Sequence, residues 1–328
     1  MSEAIVVGLD VGGSTTRVSV ASLTGERLGD GRAGGGNPTT HGAERAAAEL
    51  RAALTDALSD VEPMNARAGV IGLAGAGRLL ADPTGRAAFD TVWREVGLRC
   101  PYTVVGDALV AYASGVPAPD GTVLIAGTGA IAAAVRGMTL DRAADGHGWL
   151  LGDSGSGFWL GREAVRRALA DLDAGRQLTL LDALVLTELL GAPTVAPRPR
   201  DTVDRLVQTV TRRPPVELAA LAPLVITAAD QGDTTATAIL ADAARHLVTT
   251  VERIRTADET TPIVLGGGLL TGDTPLAAAV TAALRVRWPE APLETAGDGA
   301  VAAAWLAARA LPEVDADALH ARLVALAP

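Results

Sequence analysis

The stretch Ile5 to Arg17 has the sequence IVVGLDVGGSTTR. Apolar or small residues lead into Asp10, and two glycines, Gly12 and Gly13, then precede a run of hydroxyl side chains. A buried run that ends in glycines and continues as a second apolar run is typical of two strands joined by a tight turn. We therefore predict a β-hairpin here.

The glycine turn of this hairpin has the chemistry of a phosphate site. Glycine lets backbone N–H groups approach a ligand without an intervening Cβ, and the hydroxyls of Ser14, Thr15 and Thr16 add donors suited to phosphate oxygens. Asp10, at the strand end, is suited to a hydrated Mg²⁺, which prefers one or two carboxylates together with water and phosphate. The alternative is an ordinary turn in which Asp10 bonds its own backbone. This stretch alone leaves both interpretations open.

The composition of the chain excludes several classes of protein. Lysine is absent, so all 28 basic residues are arginines. A P-loop NTPase needs the lysine of its glycine loop, a protein kinase needs the lysine of its third strand, and Schiff-base catalysis needs a lysine amine. The net charge of −10 argues against sequence-independent binding to nucleic acid or anionic lipid. We therefore expect no nucleic-acid partner and no membrane partner.

Cysteine usage and hydropathy indicate the compartment. Cys100 is the only cysteine in the 328 residues, so we expect neither an intramolecular disulfide nor a CxxC metal site. The chain begins without a basic segment followed by a long apolar run, which predicts no signal peptide. No uninterrupted apolar stretch reaches about 18 residues, which a transmembrane helix needs. We expect a cytoplasmic protein of about two domains, since one domain usually takes about 100–200 residues.

The first part of the chain alternates between predicted strands and helices. Residues 5–114 give the order β, β, β, α, β, α, β, α, with an alanine-rich amphipathic helix after the third strand. A break rich in proline follows at Pro117–Gly121, and such a break is a candidate domain boundary.

Beyond the break the pattern of a buried strand, a glycine turn and a second strand is repeated. A buried strand leads into Gly127-Thr128-Gly129, and a second strand is predicted at 131–135. A mostly helical region covers 161–255, and a further buried strand, 263–265, ends in Gly266-Gly267-Gly268. Each half thus begins with a strand, a glycine turn and a hairpin, so we predict a duplicated α/β unit with both turns facing one cleft.

The turn at Gly127 permits a second interpretation. Gly127 to Ala132 fits GxGxxA, a dinucleotide fingerprint, and Asp145 lies near the spacing expected for a ribose-binding acid. A Rossmann turn must open a helix, whereas the residues after Gly129 suit a helix or a buried strand. We favour a second phosphate-binding hairpin because Thr128 can donate a hydrogen bond.

Asp107 follows a predicted strand and precedes a predicted helix. One interpretation is an N-cap, which stabilises a helix by about 0.5–2 kcal/mol. The other is a general base for a substrate hydroxyl, which contributes about 10²–10⁴-fold to a rate. The two roles are compatible with each other, and the local sequence does not separate them.

Two more glycine-rich segments carry candidate ligand groups. The loop Gly152–Gly157 contains Asp153 and precedes a helix; it is either a glycine loop with a capping serine or a rigid polar loop in which Asp153 accepts from a ligand. We expect His147 and Trp149 to line one side of this loop. The alternative for His147 is the more common role of a single histidine, packed in the core or exposed on the surface. Gly266-Gly267-Gly268 is either a simple turn or a flat shelf for an adenine or ribose.

Taken together, these turns resemble those of a known group. The sequence is similar to the sugar kinases of the superfamily that unites actin, the heat-shock chaperone ATPases and hexokinase. It resembles most the N-acetylglucosamine kinase branch, which groups with the BadF/BadG-type ATPases. The resemblance runs from Ile5 to about Ala310 and rests on four motifs: DxGG(S/T)xT at Asp10–Thr16, GTG at Gly127–Gly129, LLGDxGSGxW at Leu150–Trp159 and GGG at Gly266–Gly268.

The resemblance implies a fold and a division into domains. The fold class is α/β, with two actin-like (ribonuclease H-like) domains and a cleft between them. Residues 1–117 would form the N-terminal domain, with the sugar side and the catalytic base. Residues 118–328 would form the C-terminal domain, with a helical insertion and the ATP side. Dimers are common in this branch, so we expect a homodimer.

The resemblance also implies site residues. ATP would be the co-substrate, with Mg²⁺ held near Asp10 through water, and Asp107 would take the proton of a sugar 6-hydroxyl. The residues facing ATP and its phosphates would be Gly12, Gly13, Ser14, Thr15, Thr16, Gly127, Thr128, Gly129, Gly266, Gly267 and Gly268. The residues approaching the sugar would be Asn37, Gly75, Ala76, Asp107, Thr128, His147, Gly148 and Asp153, with Asp153 near the 2-substituent.

Three departures from the branch pattern lie near the expected sugar site. His147 stands where the branch usually has tryptophan, and Ser154 stands where it commonly has glutamate. Ala130-Ile131 replaces a polar pair that is common after the GTG turn. These positions leave open whether the sugar carries an acetamido or a free amino group, because the Asp153 carboxylate could accept from an amide N–H or pair with an ammonium.

The sequence therefore predicts an ATP-dependent kinase that makes the 6-phosphate of N-acetylglucosamine or glucosamine. One alternative is an activator ATPase of the BadF type, which implies a cluster shared between subunits and held by cysteine thiolates; Cys100 alone, before Pro101, argues against it. The other alternative is a non-catalytic sugar sensor. No basic, helix-turn-helix-like extension is visible, which argues against a DNA-binding form of that sensor.

Overall fold

The computed structural model describes residues 3–324. Its strands are β1 Ile5–Val11, β2 Thr15–Ser22, β3 Arg27–Gly34, β4 Ala66–Leu73, β5 Tyr102–Gly106, β6 Gly121–Ala126, β7 Ala130–Arg136, β8 Thr139–Asp145, β9 Ile263–Gly266 and β10 Leu293–Thr295. Its α-helices are α1 Pro38–His41, α2 Ala43–Ala57, α3 Ala76–Ala81, α4 Pro83–Glu95, α5 Asp107–Ala113, α6 Gly157–Asp173, α7 Leu180–Leu190, α8 Pro199–Thr211, α9 Ala222–Asp230, α10 Thr234–Glu252, α11 Gly268–Thr271, α12 Pro275–Arg287, α13 Gly299–Arg309 and α14 Ala316–Leu323. Short 3-10 helices cover Pro63–Asn65 and Pro215–Leu221.

The first sheet has the strand order β3-β2-β1-β4-β5. β1 pairs antiparallel with β2, which confirms the predicted hairpin, and the register places Asp10 opposite Arg17. β1 pairs in parallel with β4, and β4 in parallel with β5. The carboxyl ends of β1, β4 and β5 therefore meet at one edge of the sheet.

The second sheet has the order β10-β9-β6-β7-β8. Written in reverse, this order is β8-β7-β6-β9-β10. Each strand then corresponds to the strand at the same place in β3-β2-β1-β4-β5 of the first sheet, which confirms the predicted duplication. β7 is a strand that begins directly after the GTG turn. A dinucleotide fingerprint requires a helix at that point, so the Rossmann alternative is wrong.

The chain divides into two compact units. The first comprises Met1–Val123, Val135–Asp141 and Glu294–Pro328, and the second comprises Leu124–Ala134 and Arg142–Leu293. The C-terminal helices α13 and α14 thus belong to the first unit. The division at 117/118 into a sugar-side and an ATP-side domain stays a prediction.

The core of the first unit surrounds β1. Val7, Leu9 and Val11 are fully buried, as expected for a strand with helices on both sheet faces. On one face α13 lies against the strand so closely that a Cβ on Gly8 would fall 2.0 Å from the Ala304 nitrogen. On the other face α2 packs on β2 and β3 through side chains such as Leu50. Gly8 is what allows α13 to lie on the backbone of β1.

The core of the second unit is built mainly by the helices after β8. Leu160, Leu186 and Leu247 are fully buried in one apolar cluster with strand residues such as Leu124. The predicted helical region is confirmed as α6 to α10. Two elements were not predicted: the short helix α3 follows β4, and β8 consists mostly of exposed residues with several polar side chains.

Candidate active site

In the first unit the candidate site residues lie where parallel strands end. The register aligns Val11 with Leu73 and Leu73 with Gly106. The residues that follow these strands, among them Gly12, Gly75 and Asp107, therefore emerge at the same edge. Ligands of open α/β sheets usually bind outside the carboxyl ends of the strands. The structure thus brings the Gly12-Gly13 turn and Asp107 to the same edge of the sheet.

Asp107 is the first residue of α5, and Gly106 occupies the N-cap position without a side-chain cap. The N-cap interpretation of Asp107 is therefore wrong. Its Oδ1 accepts a hydrogen bond from the Ala108 N–H at 2.9 Å. Burial raises the pKa of this carboxyl, and the negative charge of Asp10 raises it further, while the Ala108 hydrogen bond opposes both effects. Asp107 is thus a stronger base than an exposed aspartate.

Asp10 bonds an arginine. Arg17 Nη2 donates to Asp10 Oδ2 at 2.6 Å across the hairpin, so the alternative in which Asp10 bonds its own backbone is wrong. Within residues 3–324 the second oxygen, Oδ1, has no protein hydrogen bond. Gly299 provides the space beside this carboxylate, since a Cβ there would lie 2.7 Å from Oδ2. Arg17 was missed from the sequence, because the hairpin was predicted without the register that places Arg17 opposite Asp10.

Two hydrogen bonds hold the turn between β1 and β2. The Gly12 N–H donates to the Thr15 carbonyl at 2.8 Å, which closes the turn. His41 Nε2 donates to the Gly13 carbonyl at 2.6 Å. Gly13 and Ser14 are exposed and Thr15 is partly exposed, so the turn is accessible from solvent. His41 was also missed, since nothing in the sequence links it to the turn.

Thr16 differs from the other residues of the turn. Its side chain is fully buried, and its hydroxyl has no hydrogen-bond partner among residues 3–324. A Cβ on Gly36 would lie 2.4 Å from that oxygen. Gly36 therefore makes room for the Thr16 side chain behind the turn.

Asn37, Gly75 and Ala76, which we expect to contact the sugar, lie in the first unit. Asn37 is buried, and its Nδ2 donates to the Ala74 carbonyl at 3.0 Å. Gly75 has φ of 73°, a left-handed conformation that favours glycine, and it precedes α3. Ala76 is buried as the first residue of that helix. Asn37 thus ties the start of α1 to the loop that follows β4.

In the second unit the GTG turn connects β6 and β7. The Gly127 N–H donates to the Gly129 carbonyl at 2.9 Å, and Thr128 is exposed at the tip. The first N–H groups of α6 close on the same turn: Gly157 donates to the Gly127 carbonyl at 2.8 Å, and Phe158 to the Thr128 carbonyl at 3.1 Å. The start of α6 therefore stabilises this turn.

The GGG segment lies beside the GTG turn. Gly267 has φ of 80°, and a Cβ there would lie 2.3 Å from the carbonyl oxygen of Ala126, the residue before Gly127. Gly266 ends β9, and Gly268 is exposed with open space around it. The structure thus brings together, in the second unit, the two glycine turns that the sequence assigned to phosphate and adenosine.

Asp153 also lies against the GTG turn, since a Cβ on Gly129 would fall 2.9 Å from its Oδ1. Its Oδ1 accepts from the Ala130 N–H at 3.1 Å. Asp145 Oδ1 accepts from the Asp153 N–H at 2.6 Å, and Asp145 Oδ2 accepts from the Ser154 N–H at 3.1 Å. Ser156 caps α6, since its hydroxyl accepts from the Trp159 N–H at 3.2 Å, so the loop contains the capping serine that one of the two interpretations required.

The residues expected to line one side of the Asp153 loop are exposed to solvent. His147, Gly148 and Trp149 are exposed, and Gly148 has a left-handed φ of 85°. Asp145, which the sequence linked only to a ribose, instead binds two backbone N–H groups of the Asp153 loop.

The donors at Asp10 fit Mg²⁺. Mg²⁺ prefers hard oxygen ligands and takes one or two carboxylates, completing its shell with water and substrate phosphate. Asp10 offers one oxygen without a protein partner, beside the exposed turn Gly13-Ser14. No cluster of three or more His, Cys, Asp and Glu side chains suited to a metal lies within the described residues, so water and phosphate would supply the remaining ligands.

Comparison with known proteins identifies the family. A model of the BadF/BadG/BcrA/BcrD ATPase family matches residues 7–307. The chain belongs to this family, as the four glycine and aspartate motifs predict.

Curated relatives and a solved structure agree with this family and fold. An N-acetylmuramic acid/N-acetylglucosamine kinase of Clostridium acetobutylicum is 27% identical over 252 residues, which cover 76% of this chain and 78% of the relative. An N-acetyl-D-glucosamine kinase of Dictyostelium discoideum is 26% identical, covering 94% and 98%. The structure of a candidate N-acetylglucosamine kinase from Chromobacterium violaceum has a TM-score of 0.74 at 24% identity, covering 93% and 99%. That structural likeness confirms the predicted actin-like α/β fold.

Among the described residues, no helix has the length and apolar character needed to cross a membrane.

Proposed function

We propose that the protein is an ATP-dependent sugar kinase that phosphorylates the 6-hydroxyl of an amino sugar, N-acetylglucosamine or glucosamine. The observation that carries the proposal is the position of Asp107. It follows the last of three parallel strands, at the edge that also carries Asp10 and the Gly12-Gly13 turn. The names of the curated relatives support the same reaction class.

In the proposed reaction Asp107 is the general base. Its carboxylate accepts the proton of the sugar 6-hydroxyl as that oxygen forms a bond to the γ-phosphorus of ATP. The bond from the γ-phosphorus to the β–γ bridging oxygen breaks at the same time, and ADP leaves with that electron pair. Phosphoryl transfer depends mostly on positioning and on neutralising charge, so the base must be close and ionised. The raised pKa of Asp107 makes it a better proton acceptor near neutral pH.

The glycine turns bind the nucleotide in this proposal. The donors assigned to phosphate oxygens are N–H and hydroxyl groups of Gly12, Gly13, Ser14, Thr15, Thr16, Gly127, Thr128 and Gly129. Gly266, Gly267 and Gly268 hold the adenosine. Asp10 would hold Mg²⁺ through water, and bound Mg²⁺ would neutralise phosphate charge. The ion pair with Arg17 holds the Asp10 carboxylate in place through Oδ2.

Sugar recognition is assigned to residues from two groups. Asn37, Gly75 and Ala76 are fixed by the hydrogen bond from Asn37 to Ala74. Thr128, His147, Gly148 and Asp153 form the second group, in which Asp153 is fixed by its bond to the Ala130 N–H. We propose that Asp153 binds the substituent on carbon 2, since its second oxygen has no protein hydrogen bond within residues 3–324.

The test is ADP release with ATP and Mg²⁺ in the presence of glucosamine, N-acetylglucosamine, glucose or no sugar. Release that requires a sugar is the expected result. Release without sugar would contradict the proposal in favour of an ATPase of the activator type, and sugar binding without release would indicate a sensor.

A substitution tests the role of the base. Asp107→Asn should lower kcat by about 10²–10⁴-fold, while Asp60→Asn, the same change at an exposed aspartate of the first unit, should leave it unchanged. Normal turnover by the Asp107 variant would exclude this assignment.

A further inference from the structure

A pocket of about 590 Å³ lies in the first unit, between α4 and the segment that leads into β5. Sites for small molecules usually have volumes of about 300–1,000 Å³, so the pocket is large enough for a ligand. We call it the arginine pocket, and the residues that line it are Arg86, Asp90, Trp93, Arg94, Leu98, Arg99, Cys100, Pro101 and Tyr102. None of them belongs to the candidate active site.

The arginine pocket lies at the opposite edge of the sheet from the candidate active site. Tyr102 is the first residue of β5, whereas Asp107 follows the last one. A strand rises about 3.3 Å per residue, so about 15 Å separates the two positions. The Pro101 carbonyl accepts from the Gly69 N–H of β4 at 3.0 Å, and Gly69 pairs with Tyr102 where β5 begins. A ligand in this pocket would therefore not occupy the edge that carries Asp107.

The arginine pocket carries more positive than negative charge. Three arginines and one aspartate line it, in a chain whose net charge is −10. The aspartate is already engaged, because Asp90 Oδ1 accepts from the Tyr102 hydroxyl at 2.6 Å and lies 3.6 Å from Arg86 Nε. Neither Arg94 nor Arg99 forms an ion pair with a carboxylate of residues 3–324. Two positive charges at the pocket are thus left without a negative partner.

Backbone carbonyls hold these two guanidinium groups at the end of α4. Arg99 Nη1 donates to the Arg94 carbonyl at 2.7 Å and to the Leu98 carbonyl at 3.0 Å. Arg94 Nε donates to the Asp90 carbonyl at 3.1 Å. A guanidinium carries five N–H donors, and these bonds use one nitrogen of each group. The other nitrogens of Arg94 and Arg99 have no hydrogen-bond acceptor in the described part of the chain.

The rest of the lining is apolar or aromatic. Leu98 and Trp93 are buried, and Cys100 is half-buried. The rings of Trp93 and Tyr102 pack with 4.8 Å between their centroids, and the guanidinium carbon of Arg86 lies 5.2 Å from the centroid of Tyr102. The pocket thus places a packed apolar wall beside unpaired donors, and it has more room than a bare phosphate would fill.

We propose that the arginine pocket binds a small phosphate monoester with an apolar or aromatic substituent, at a site separate from the candidate active site. A phosphate monoester carries about −1.5 to −2 charge at pH 7, which balances the charges of Arg94 and Arg99. Guanidinium groups bind phosphate through paired, charge-assisted hydrogen bonds. The substituent packs on the wall formed by Leu98 and Cys100. This inference does not depend on the proposed function, because no residue of the pocket takes part in it.

Titration calorimetry with phenyl phosphate is the first test. Phenol is the probe without charge, inorganic phosphate is the probe without a ring, and we expect phenyl phosphate to bind more tightly than either. If phenyl phosphate does not bind the wild type, or binds no more tightly than phenol, the proposal is wrong.

Substitutions locate the binding. Arg94→Gln and Arg99→Gln each remove a charged donor, and loss of a hydrogen bond to a charged group usually weakens binding by about tenfold or more. We therefore expect each variant to raise the Kd of phenyl phosphate by about tenfold or more. Arg45→Gln, the same change at an exposed arginine of α2 outside the pocket, should leave the Kd unchanged. An unchanged Kd in both pocket variants would place phenyl phosphate elsewhere on the protein and overturn the proposal.

Cys100 provides a local test in the wild type, which remains decisive if the variants fail to fold. It is the only cysteine of the chain, so alkylation by iodoacetamide reports on this pocket alone. Burial raises the pKa of its thiol, and the reaction is therefore run in alkaline buffer, where more thiolate is present. Saturating phenyl phosphate should slow the alkylation by about tenfold, whereas phenol should not. An unchanged rate at a phenyl phosphate concentration that saturates the calorimetric titration would contradict binding in the arginine pocket.

Discussion

At the scale of single residues, Asp107 combines a functional advantage with a cost in stability. Its carboxyl is partly buried, and burial raises its pKa above the ordinary value of 3.8. The same desolvation that makes the group a better base makes its ionised form unfavourable in the folded protein. Sites that need such a group commonly lower the stability of the fold.

The first prediction concerns stability at Asp107. Because the folded pKa lies above the unfolded value of 3.8, the folded state holds the proton more tightly, and stability falls as the pH rises through the folded pKa. Asp107→Asn removes this loss, so its free energy of unfolding should exceed that of the wild type at pH 7. Urea unfolding between pH 4 and pH 8 measures the difference, which should shrink toward the acid end. A variant less stable than the wild type at pH 7 would contradict this account.

The second prediction concerns the pH dependence of catalysis. A base works only when ionised, so kcat should fall on the acid side at a pH above that expected for an exposed aspartate. The profile of kcat against pH measures this limb, with Asp60→Asn as the control. An acid limb at the pKa of a free aspartate would mean that the limiting group is not Asp107.

At the scale of elements, close backbone contacts decide where the helices and turns lie. Gly8 of β1 lets α13 lie directly on the strand, and Gly267 lets the turn after β9 lie against the end of β6. In both places the nearest atoms belong to the backbone, which cannot move aside as a flexible side chain can. Each contact positions a candidate site turn, since β1 leads into Gly12 and β6 leads into Gly127.

The third prediction tests the contact between β1 and α13. The Cβ in Gly8→Ala would lie 2.0 Å from the Ala304 nitrogen and 2.2 Å from the Ala300 oxygen. Overpacking of this kind usually costs about 1–3 kcal/mol and occasionally more, so the melting temperature should fall by several degrees. Gly77→Ala, in the helix α3 with open space around it, is the control and should be neutral or stabilising. Equal melting temperatures for the two variants would contradict the contact.

The fourth prediction tests the turn after β9. Gly267→Ala combines a strained φ of 80° with a Cβ 2.3 Å from the Ala126 oxygen, so the turn should move away from the GTG segment. We expect KM for ATP to rise by about tenfold or more, with KM for the sugar less affected. Gly232→Ala is the control, because Gly232 also has a left-handed φ, of 86°, but no neighbour within 4 Å. Similar values of KM for ATP in both variants would remove this turn from the nucleotide site.

At the scale of the whole molecule, helices α13 and α14 near the end of the chain belong to the same compact unit as β1 near its beginning. α13 lies against β1, and α14 is fixed by His320, whose Nε2 donates to the Ala113 carbonyl at 2.8 Å. The ring of His320 also packs edge-on against Trp305 with 4.8 Å between centroids. His320 is buried, so a protonated ring would be poorly solvated at this junction.

The fifth prediction follows from the protonation of His320. Burial lowers the pKa of this ring below its ordinary value of 6.5, although the bond to Ala113 and the charge of Asp317 oppose the shift. As the pH falls below 6.5 the unfolded state binds the proton first, so the folded protein loses stability until the folded pKa is reached. His320→Gln keeps a donor for the Ala113 carbonyl but does not titrate. Thermal unfolding between pH 5 and pH 8 should show a smaller acid loss in the variant, and identical slopes would contradict the role of His320.

Much of the fold could be predicted from the sequence, because buried strands and glycine turns are local signals. The hairpin at Asp10, the repeated order of strands, the turns at Gly127 and Gly266, and the family all follow from short runs of neighbouring residues. Local sequence left Gly127–Ala132 ambiguous between helix and strand. It did not show β8 either, since an exposed polar strand has no apolar periodicity.

Tertiary structure decided the partners of the candidate site residues. The bond from Arg17 to Asp10 depends on the register of the β1–β2 hairpin, whereas the bonds from His41 to Gly13 and from Asp153 to Asp145 join residues whose spacing follows no helical or strand period. Such pairs form only when separate elements pack, so no local pattern indicates them. The position of α13 on β1 is the extreme case, because Gly8 and Ala304 are 296 positions apart in the sequence and meet in a close backbone contact that glycine permits.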